Sequence, residues 1–458
     1  MIPVIAIVGR PNVGKSTLFN CLTQSRDAMV ADIPGITRDR IYGRGRVGDK
    51  PYIIIDTGGI GIDEEGVDEL TAKQADQAIS ESNIILFVVD ARAGLMPADK
   101  AIAKKLRKLN KDLILVINKS EGLDQEDLDT EFDKLGFKNK INISASHREN
   151  INNLVEKFPE AEETLDEKDM GIKVAIVGKP NVGKSTLVNR ILGEERVIAF
   201  DSPGTTRDSI YIPFERNNKK YTLIDTAGVR RKSHIKEVIE KISVVKTLQA
   251  IEEAHVVLFL VDARTNLTEQ DLGLLGFILS LGKALVIAIN KWDGLEKYDR
   301  EQIKNKLDRK LVFIDFAEIK FISALHGTGV GDLFGDIRRA YDSAMKDMPT
   351  PLLTKILEKA VIKHQPPLVG GRRIKLRYAH AGGHNPPLII IHGTQTEKLP
   401  DSYRRYLSGV YRKALKLIGT PVQISFKEGA NPFRDRPNLM TPKQFAQRQR
   451  LIAHRKRS

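Results

Sequence analysis

A glycine-rich loop occurs twice in the chain, each time between a short apolar run and a helical pattern. The copies read GRPNVGKS from Gly9 to Ser16 and GKPNVGKS from Gly178 to Ser185. Such a loop wraps backbone N–H groups around phosphates at a helix N-terminus, where the helix dipole favours negative charge. The predicted phosphate-binding residues are Gly9, Asn12, Val13, Gly14, Lys15, Ser16 and Thr17, together with Gly178, Asn181, Val182, Gly183, Lys184, Ser185 and Thr186.

Oxygen ligands suited to Mg²⁺ accompany each loop. An apolar strand pattern ends in DTGG from Asp56 and again in DTAG from Asp225, so that each aspartate can approach a metal ion. Between loop and aspartate, the segments PGITRD and PGTTRD each contain a threonine placed to reach the ion only when a third phosphate is present. The predicted Mg²⁺ ligands are Ser16, Thr37, Asp56, Ser185, Thr206 and Asp225, while Gly59 and Gly228 would approach the terminal phosphate.

Base recognition is predicted at two NKxD-like segments that each follow an apolar strand pattern. In this pattern the acid accepts hydrogen bonds from guanine N1 and N2, whereas adenine would leave the carboxylate unpaired. The second copy fits the pattern, but Glu121 replaces the expected aspartate in the first, which predicts weaker or displaced guanine binding there. The predicted guanine-binding residues are Asn118, Lys119, Glu121, Ser144 and Ala145, and Asn290, Lys291, Asp293, Ser323 and Ala324.

The position after each DxxG segment often holds a glutamine that orients the attacking water. Here it holds Ile60 in one copy and Val229 in the other, and neither side chain can hold water. We therefore predict slow intrinsic hydrolysis of GTP, with water activation supplied by another residue, a bound cation or a partner.

The elements that must position these residues form a repeat. Gly178, Thr206 and Asp225 each lie 169 residues after Gly9, Thr37 and Asp56. Within both copies, apolar runs rich in Val and Ile alternate with longer helical patterns, which predicts an α/β fold whose parallel sheet is buried on both faces. Between the copies, a polar and acidic stretch near residues 162–171 is predicted to be a linker.

Charge is distributed unevenly along the 458 residues, whose net charge is +14. From Lys346 to Ser458 there are 23 Lys and Arg against 6 Asp and Glu, a net of +17, so the residues before Lys346 carry a net of −3. The single cysteine, Cys21, cannot form an internal disulfide and is predicted to pack in the core. Because the N-terminus lacks a basic leader and no apolar run reaches spanning length, we expect a cytoplasmic protein without membrane contact.

The basic C-terminal part reads as helix, strand, strand, helix, strand, which suits a small α+β unit with helices on one face. A dense basic set suits a phosphate backbone, although no GxxG loop of the kind that a KH domain uses to grip nucleotides is present. The final QRQRLIAHRKRS is predicted to be a basic tail. The candidate RNA contacts are Arg372, Arg373, Lys375 and Arg377 on a strand, and Arg404, Arg405, Arg412, Lys413 and Lys416 on a helix.

Across essentially the whole chain, the tandem loops, the PGxTRD segments and the basic third domain resemble the EngA/Der family of bacterial ribosome-assembly GTPases. The resemblance implies two P-loop NTPase domains of the TRAFAC GTPase class, a KH-like C-terminal domain, and GTP hydrolysis coupled to maturation of the large ribosomal subunit and its rRNA. It also implies stimulation by K⁺, held in part by Asn12 and Asn181. We expect the free protein to be monomeric.

The predicted boundaries are 1–161 for the first G domain, 162–171 for the linker, 172–345 for the second G domain, 346–440 for the KH-like domain and 441–458 for the tail. Two other hypotheses stay open on sequence grounds. Glu121 leaves room for a first G domain that senses nucleotide with little turnover, in a chain that chiefly binds RNA. PGTTRD also occurs in tRNA-modifying GTPases, but those need a modification domain or partner that this chain lacks.

Overall fold

The computed structural model describes residues 2–24, 41–48, 50–57, 78–109, 111–159, 170–193, 197–199, 211–224, 244–265, 267–369 and 372–428. Several predicted features lie outside these residues: Thr37, Gly59, Ile60, Thr206, Asp225, Gly228, Val229, most of the linker 162–171 and the tail 441–458.

The first predicted G domain is built on one sheet of six strands in the order β2-β3-β1-β4-β5-β6. All neighbours pair in parallel except β2 and β3. Its strands are β1 (Val4–Val8), β2 (Ile41–Arg44), β3 (Ile53–Asp56), β4 (Ile84–Asp90), β5 (Asp112–Asn118) and β6 (Lys140–Asn142). Its helices include α1 (Lys15–Thr23), α2 (Pro97–Leu106), α3 (Gln125–Phe132) and α4 (Ile151–Glu156).

The second predicted G domain repeats this plan on a sheet of seven strands. Their order is β13-β12-β11-β7-β10-β9-β8, and β10-β9-β8 form the antiparallel edge. Its strands are β7 (Ile172–Val177), β8 (Val197–Ala199), β9 (Tyr211–Arg216), β10 (Lys219–Ile224), β11 (Val256–Asp262), β12 (Ala284–Asn290) and β13 (Glu318–Phe321). Its helices include α5 (Lys184–Leu192), α6 (Val244–Glu253), α7 (Glu269–Leu281), α8 (Lys297–Lys310) and α9 (Val330–Ala344).

Both central sheets are buried on their two faces, as nearly continuous apolar strands require. Along β1, Ile5 and Ile7 pack in one cluster with Leu18 of α1, while Ala6 and Val8 pack in another with Ile102 of α2. This burial fixes the carboxyl ends of the parallel strands at one edge of each sheet, where ligands bind in open α/β folds.

Helix α6 of the second domain also packs against the first domain. It shares an apolar cluster with Val4 and Ile55, and its Gln249 amide donates to the Ile2 carbonyl at 2.8 Å. An ion pair at 2.8 Å joins Arg44 of β2 to Glu252 of α6, whose side chain is 4% exposed. The two repeats are therefore in direct contact through a helix that follows the second DxxG segment in sequence.

The C-terminal part contains the two predicted helices and a three-stranded sheet, but it adds a short two-stranded ladder, so that Arg372 and Arg373 do not lie on the same strand as Lys375 and Arg377. It contains α10 (Thr350–Lys363), a short ladder of β14 (Leu368–Val369) and β15 (Arg372–Arg373), and a three-stranded sheet in the order β16-β17-β18. The sheet and its second helix are β16 (Lys375–Gly383), β17 (Leu388–Thr394), α11 (Asp401–Leu415) and β18 (Gln423–Glu428). Contacts group most of this part into a compact unit, while residues 383–388 and 412–423 group with the unit that holds both G domains. No helix in the described ranges is both long and apolar enough to cross a membrane.

Candidate functional site

Backbone geometry explains the glycines of both loops. Gly14 and Gly183 precede helices α1 and α5 with φ of +94° and +101°, which only glycine adopts without strain. A Cβ on Gly14 would lie 2.3 Å from the Asn118 amide nitrogen, and one on Gly9 would lie 2.4 Å from the Val88 carbonyl oxygen. The loop is therefore held tightly against the ends of strands β4 and β5.

The loop lysines lie over the loops themselves. The Lys15 ammonium donates to the Arg10 carbonyl at 2.7 Å, and the Lys184 ammonium donates to the carbonyls of Gly178 and Lys179, each at 2.7 Å. Lys15 is buried, and this burial lowers its pKa to about 8, with Arg10 acting in the same direction and Asp56 opposing it. A negative charge placed next to this buried ammonium would favour its charged form and raise its pKa again.

In the first domain, two of the residues predicted to bind Mg²⁺, Ser16 and Asp56, are in direct contact. The Ser16 hydroxyl donates to a carboxylate oxygen of Asp56 at 2.9 Å, and Asp56 is 2% exposed at the end of β3. A hydroxyl and a carboxylate so close, at a helix N-terminus beside strand ends, are a donor set that fits Mg²⁺ with phosphate oxygens. Ser185 takes the equivalent position at the start of α5.

Asn118 and Asn290 act as struts between loops. The amide nitrogen of Asn118 donates to the Val13 carbonyl at 2.8 Å, and its oxygen accepts from the Ala145 N–H at 3.0 Å. Asn290 repeats both contacts, at 2.7 Å to Val182 and 2.9 Å to Ala324. The two predicted guanine segments of each domain are thereby tied to the phosphate loop.

Lys119 and Lys291, which follow these asparagines, make equivalent contacts in the two domains. Each ammonium donates to the carbonyl of a loop asparagine, Asn12 at 2.9 Å or Asn181 at 2.8 Å. Each also pairs at 2.6 Å with an aspartate, which is Asp90 or Asp262. Both lysine side chains therefore span from the end of a strand to the glycine-rich loop.

Sequence reasoning missed Asp90 and Asp262. They end the strand patterns IILFVVD and VVLFLVD, and an acid at the same place in both repeats was the available signal. Burial alone would raise the pKa of Asp90, but hydrogen bonding and charge attraction from Lys119, with the N–H groups of Arg92 and Ala93, outweigh it and lower the pKa. Asp90 therefore stays ionised and fixes Lys119.

The two acids differ in their partners. The Ser144 hydroxyl and the Glu121 backbone N–H lower the pKa of Glu121, and the Arg92 guanidinium, 2.8 Å from its Oε1, adds to this. For Asp293, the Ser323 hydroxyl and the Asp293 backbone N–H lower the pKa. Its Arg92 equivalent, Arg264, instead contacts the Asp293 carbonyl oxygen at 3.5 Å, and His326 Nε2 lies 3.4 Å from the carboxylate.

The predicted RNA contacts do not share one environment. Arg412 pairs with Asp315 at 2.6 Å and lies over the Phe316 ring, and Arg404 lies over the Phe426 ring. The exposed residues of the set are Arg373, Lys375, Arg377, Arg405, Lys413 and Lys416, the last of which lies beyond the end of α11. The structure thus divides the predicted basic helix face, because two of its arginines are engaged within the chain.

The fold and the paired sites define a P-loop GTPase with two G domains. A family model described as 50S ribosome-binding GTPase matches residues 4–119 and 173–291, and one described as KH-domain-like of EngA bacterial GTPase enzymes, C-terminal, matches residues 348–427. GTPase Der of Thioalkalivibrio sulfidiphilus is 58% identical over 463 residues, covering 100% of both chains. GTPase Der of Hahella chejuensis is 54% identical over 461 residues, covering 100% of this chain and 98% of that one.

The chain belongs to the Der family of GTPases and is a GTP phosphohydrolase. The expected fold, two P-loop domains followed by a KH-like domain, is confirmed.

Proposed function

We propose that the protein is a nucleotide-gated factor in assembly of the large ribosomal subunit, working in the cytoplasm as a monomer that binds rRNA through its basic C-terminal domain. The observation that carries this proposal is the pairing of two G-domain repeats with a C-terminal region of net charge +17. The family model named for 50S ribosome binding supports it. GTP state would gate binding, and hydrolysis would release the factor.

Within this proposal, the residues take the roles that their types suggest. The loops from Gly9 and Gly178 bind the phosphates, and Lys15 and Lys184 neutralise them. Ser16 and Asp56 would hold Mg²⁺ in the first site, and Ser185 and Asp225 would hold it in the second, with Thr37 and Thr206 as further ligands when GTP is bound; the ion would polarise the phosphates and shield their charge. Gly59 and Gly228 would approach the terminal phosphate.

The first guanine site comprises Asn118, Lys119, Glu121, Ser144 and Ala145, and the second guanine site comprises Asn290, Lys291, Asp293, Ser323 and Ala324. The geometry supports this assignment, since Asn118 and Asn290 each join the predicted base-binding segment to the phosphate loop of the same domain. The domain boundaries 1–161, 172–345 and 346–440 belong to the same proposal.

Cosedimentation with large ribosomal subunits tests the gating. At moderate salt, the wild-type protein should pellet with subunits in the presence of a non-hydrolysable GTP analogue and stay in the supernatant with GDP. The matched control is the Lys184→Ala variant, which should lose the difference between the two nucleotides if the second site gates. Equal pelleting of the wild type in both nucleotides would refute gating.

A bound K⁺ ion is the second part of the proposal, with Asn12 and Asn181 as contributors. Both residues adopt the left-handed conformation, with φ of +66° and +63°, which asparagine tolerates better than most residues. GTP turnover should be faster in KCl than in NaCl of equal ionic strength. Equal turnover in the two salts would remove the ion from the proposal and leave the loop conformation as the reason for asparagine.

A further inference from the structure

The C-terminal sheet carries a ladder of flat rings on one face. Tyr378 of β16 and His392 of β17 stack with ring centroids 4.4 Å apart and planes 5° apart. His380 continues the stack, 5.1 Å from His392 at an angle of 29°. The three rings form a nearly parallel array across two neighbouring strands, which we call the ring platform.

The platform lies on the face of the sheet opposite its buried side chains. Side chains alternate across a strand, and the odd-numbered residues Ala379 of β16 and Ile389 and Ile391 of β17, which point away from the even-numbered platform residues, are fully buried. The Thr354 hydroxyl of α10 hydrogen-bonds to the backbone of Ala379 on the edge strand β16, and the buried side chains lie on the opposite face from the rings. Tyr378, by contrast, is 43% exposed.

The two strands that carry the platform are basic, with Lys375 and Arg377 on β16. Strands β16 and β17 contain no Asp or Glu. Lys427 of β18 is exposed and lies near enough to His392 to help lower its pKa, after burial and His380. The acid at the end of β18, Glu428, accepts a hydrogen bond from the Thr396 hydroxyl at 3.4 Å. The lowered pKa keeps His392 neutral near pH 7, so it serves as a flat ring rather than a cation.

We infer that the ring platform binds single-stranded RNA by stacking bases on Tyr378 while Lys427 contacts the phosphate backbone. Exposed rings beside basic side chains are the combination by which single strands are bound without sequence preference, because every base has a flat face. A duplex cannot use such a surface, since its bases are already stacked. This inference rests on the proposed function for the choice of RNA, and it assigns binding to the sheet rather than to the basic side chains of α11.

The test compares variants of the full chain in fluorescence anisotropy with a labelled 12-nucleotide single-stranded RNA and with a duplex of the same sequence. Tyr378→Ala should weaken single-strand binding on the order of tenfold and leave duplex binding unchanged. Tyr378→Phe, which keeps the ring, should bind as the wild type does. Tyr298→Ala is the matched control, because Tyr298 is 70% exposed on α8 of the second G domain.

Salt dependence separates stacking from charge. Tyr378→Ala should keep the wild-type slope of log affinity against log salt, whereas Lys427→Ala should reduce that slope by about one. Melting temperature and GTP turnover report on folding of each variant. Direct contact is checked with Tyr378→Trp, whose added emission, after subtraction of the wild-type signal from Trp292, should be quenched by the single strand.

Wild-type affinity of a folded Tyr378→Ala protein, or absence of quenching in Tyr378→Trp, would overturn the inference. Loss of single-strand and duplex binding together would also overturn it, because it would indicate a charge-only surface. None of these results bears on gating, since nucleotide-dependent cosedimentation of the wild type decides the proposed function separately.

Discussion

The first and second guanine sites share a scaffold and differ in the acid that would contact the base. Both place an asparagine strut between phosphate loop and base segment with contacts of 2.7 to 3.0 Å. In the first site the longer Glu121 side chain reaches Arg92, whereas the Arg264 guanidinium in the second site donates to the Asp293 backbone carbonyl at 3.5 Å. The two repeats therefore share the scaffold that joins the glycine-rich loop to the following segments, and their acids at positions 121 and 293 differ by one methylene group.

Disabling one loop at a time gives the largest expected effect. Lys15→Ala and Lys184→Ala each remove the ammonium from one site, and we expect GTP affinity at that site to fall on the order of a hundredfold or more. Turnover left in Lys184→Ala then belongs to the first site alone. Single-turnover hydrolysis of radiolabelled GTP measures each remainder.

We expect each single variant to retain only part of the wild-type turnover and the double variant to have none. Full wild-type turnover in Lys15→Ala would contradict this and would favour a first domain that senses nucleotide without hydrolysing it. Lys15→Arg and Lys184→Arg are the controls for charge, since each keeps a cation over its loop.

Gly14→Ala should have the next largest effect. A Cβ at Gly14 meets the Asn118 strut at 2.3 Å with φ of +94°, so the substitution strains the backbone and displaces the strut. Gly136→Ala is the matched control, because Gly136 has φ of +71° and nothing within 4 Å of the added Cβ. Both variants lose about 1 kcal/mol of unfolding free energy to the left-handed backbone.

Only Gly14→Ala should also lose GDP affinity, by about tenfold or more, as measured by titration in the Lys184→Ala background, where the first site acts alone. Equal GDP affinity in the two glycine variants would show that the Asn118 strut does not couple the phosphate loop to the base segment.

The framework of the site follows from the sequence because its causes are local. An apolar strand, a glycine-rich turn and a helix start occur in a fixed order, and the constant offset from Gly9 to Gly178 duplicates them. Strand ends such as Asp56 and Asn118 could be placed at one edge because parallel strands share a direction. The helices and strands of the C-terminal domain follow from the same alternation of patterns.

Contacts between distant segments could not be predicted in this way. The pairing of Arg92 with Glu121 depends on side-chain reach between two loops, and that of Arg412 with Asp315 spans 97 residues. Stacking of Tyr378 on His392 depends on the register of two strands, which no spacing in the sequence specifies. Tertiary geometry thus decides which charged side chains remain available to a ligand.

Exchanging Glu121 and Asp293, the two acids that differ by one methylene group, tests whether this difference changes nucleotide affinity. Glu121→Asp should move the carboxylate out of reach of Arg92 and raise GDP affinity at the first site by about threefold, the scale of a partly exposed ion pair. Asp293→Glu should bring the carboxylate within reach of Arg264 and lower GDP affinity at the second site by a similar factor. Each is measured in the background that disables the other loop.

Arg92→Ala provides the control for this exchange. It should reproduce the effect of Glu121→Asp, because it frees the same carboxylate, and combining the two should add nothing further. A fall in affinity in either single variant would show that Arg92 instead holds Glu121 in the orientation that guanine needs.

The smallest expected effect is a fractional uptake of protons by the first site. Since burial lowers the pKa of Lys15 to about 8, the side chain is partly neutral in the nucleotide-free protein at pH 8.5. Phosphate favours the charged form, so GDP binding should take up less than one proton there and none near pH 6.5. Calorimetry of Lys184→Ala in two buffers of different ionisation enthalpy measures this uptake.

The lowered pKa of Lys15 also makes the stability of the nucleotide-free fold depend on pH. Between about pH 8 and the ordinary lysine pKa of about 10.4, the unfolded chain holds a proton that folded Lys15 has released, so this group makes the nucleotide-free fold more stable as pH rises. Lys15→Arg cannot release a proton in this range and should abolish both the uptake and the rise in stability. Persistent uptake in Lys15→Arg would assign the proton to another group of the first site.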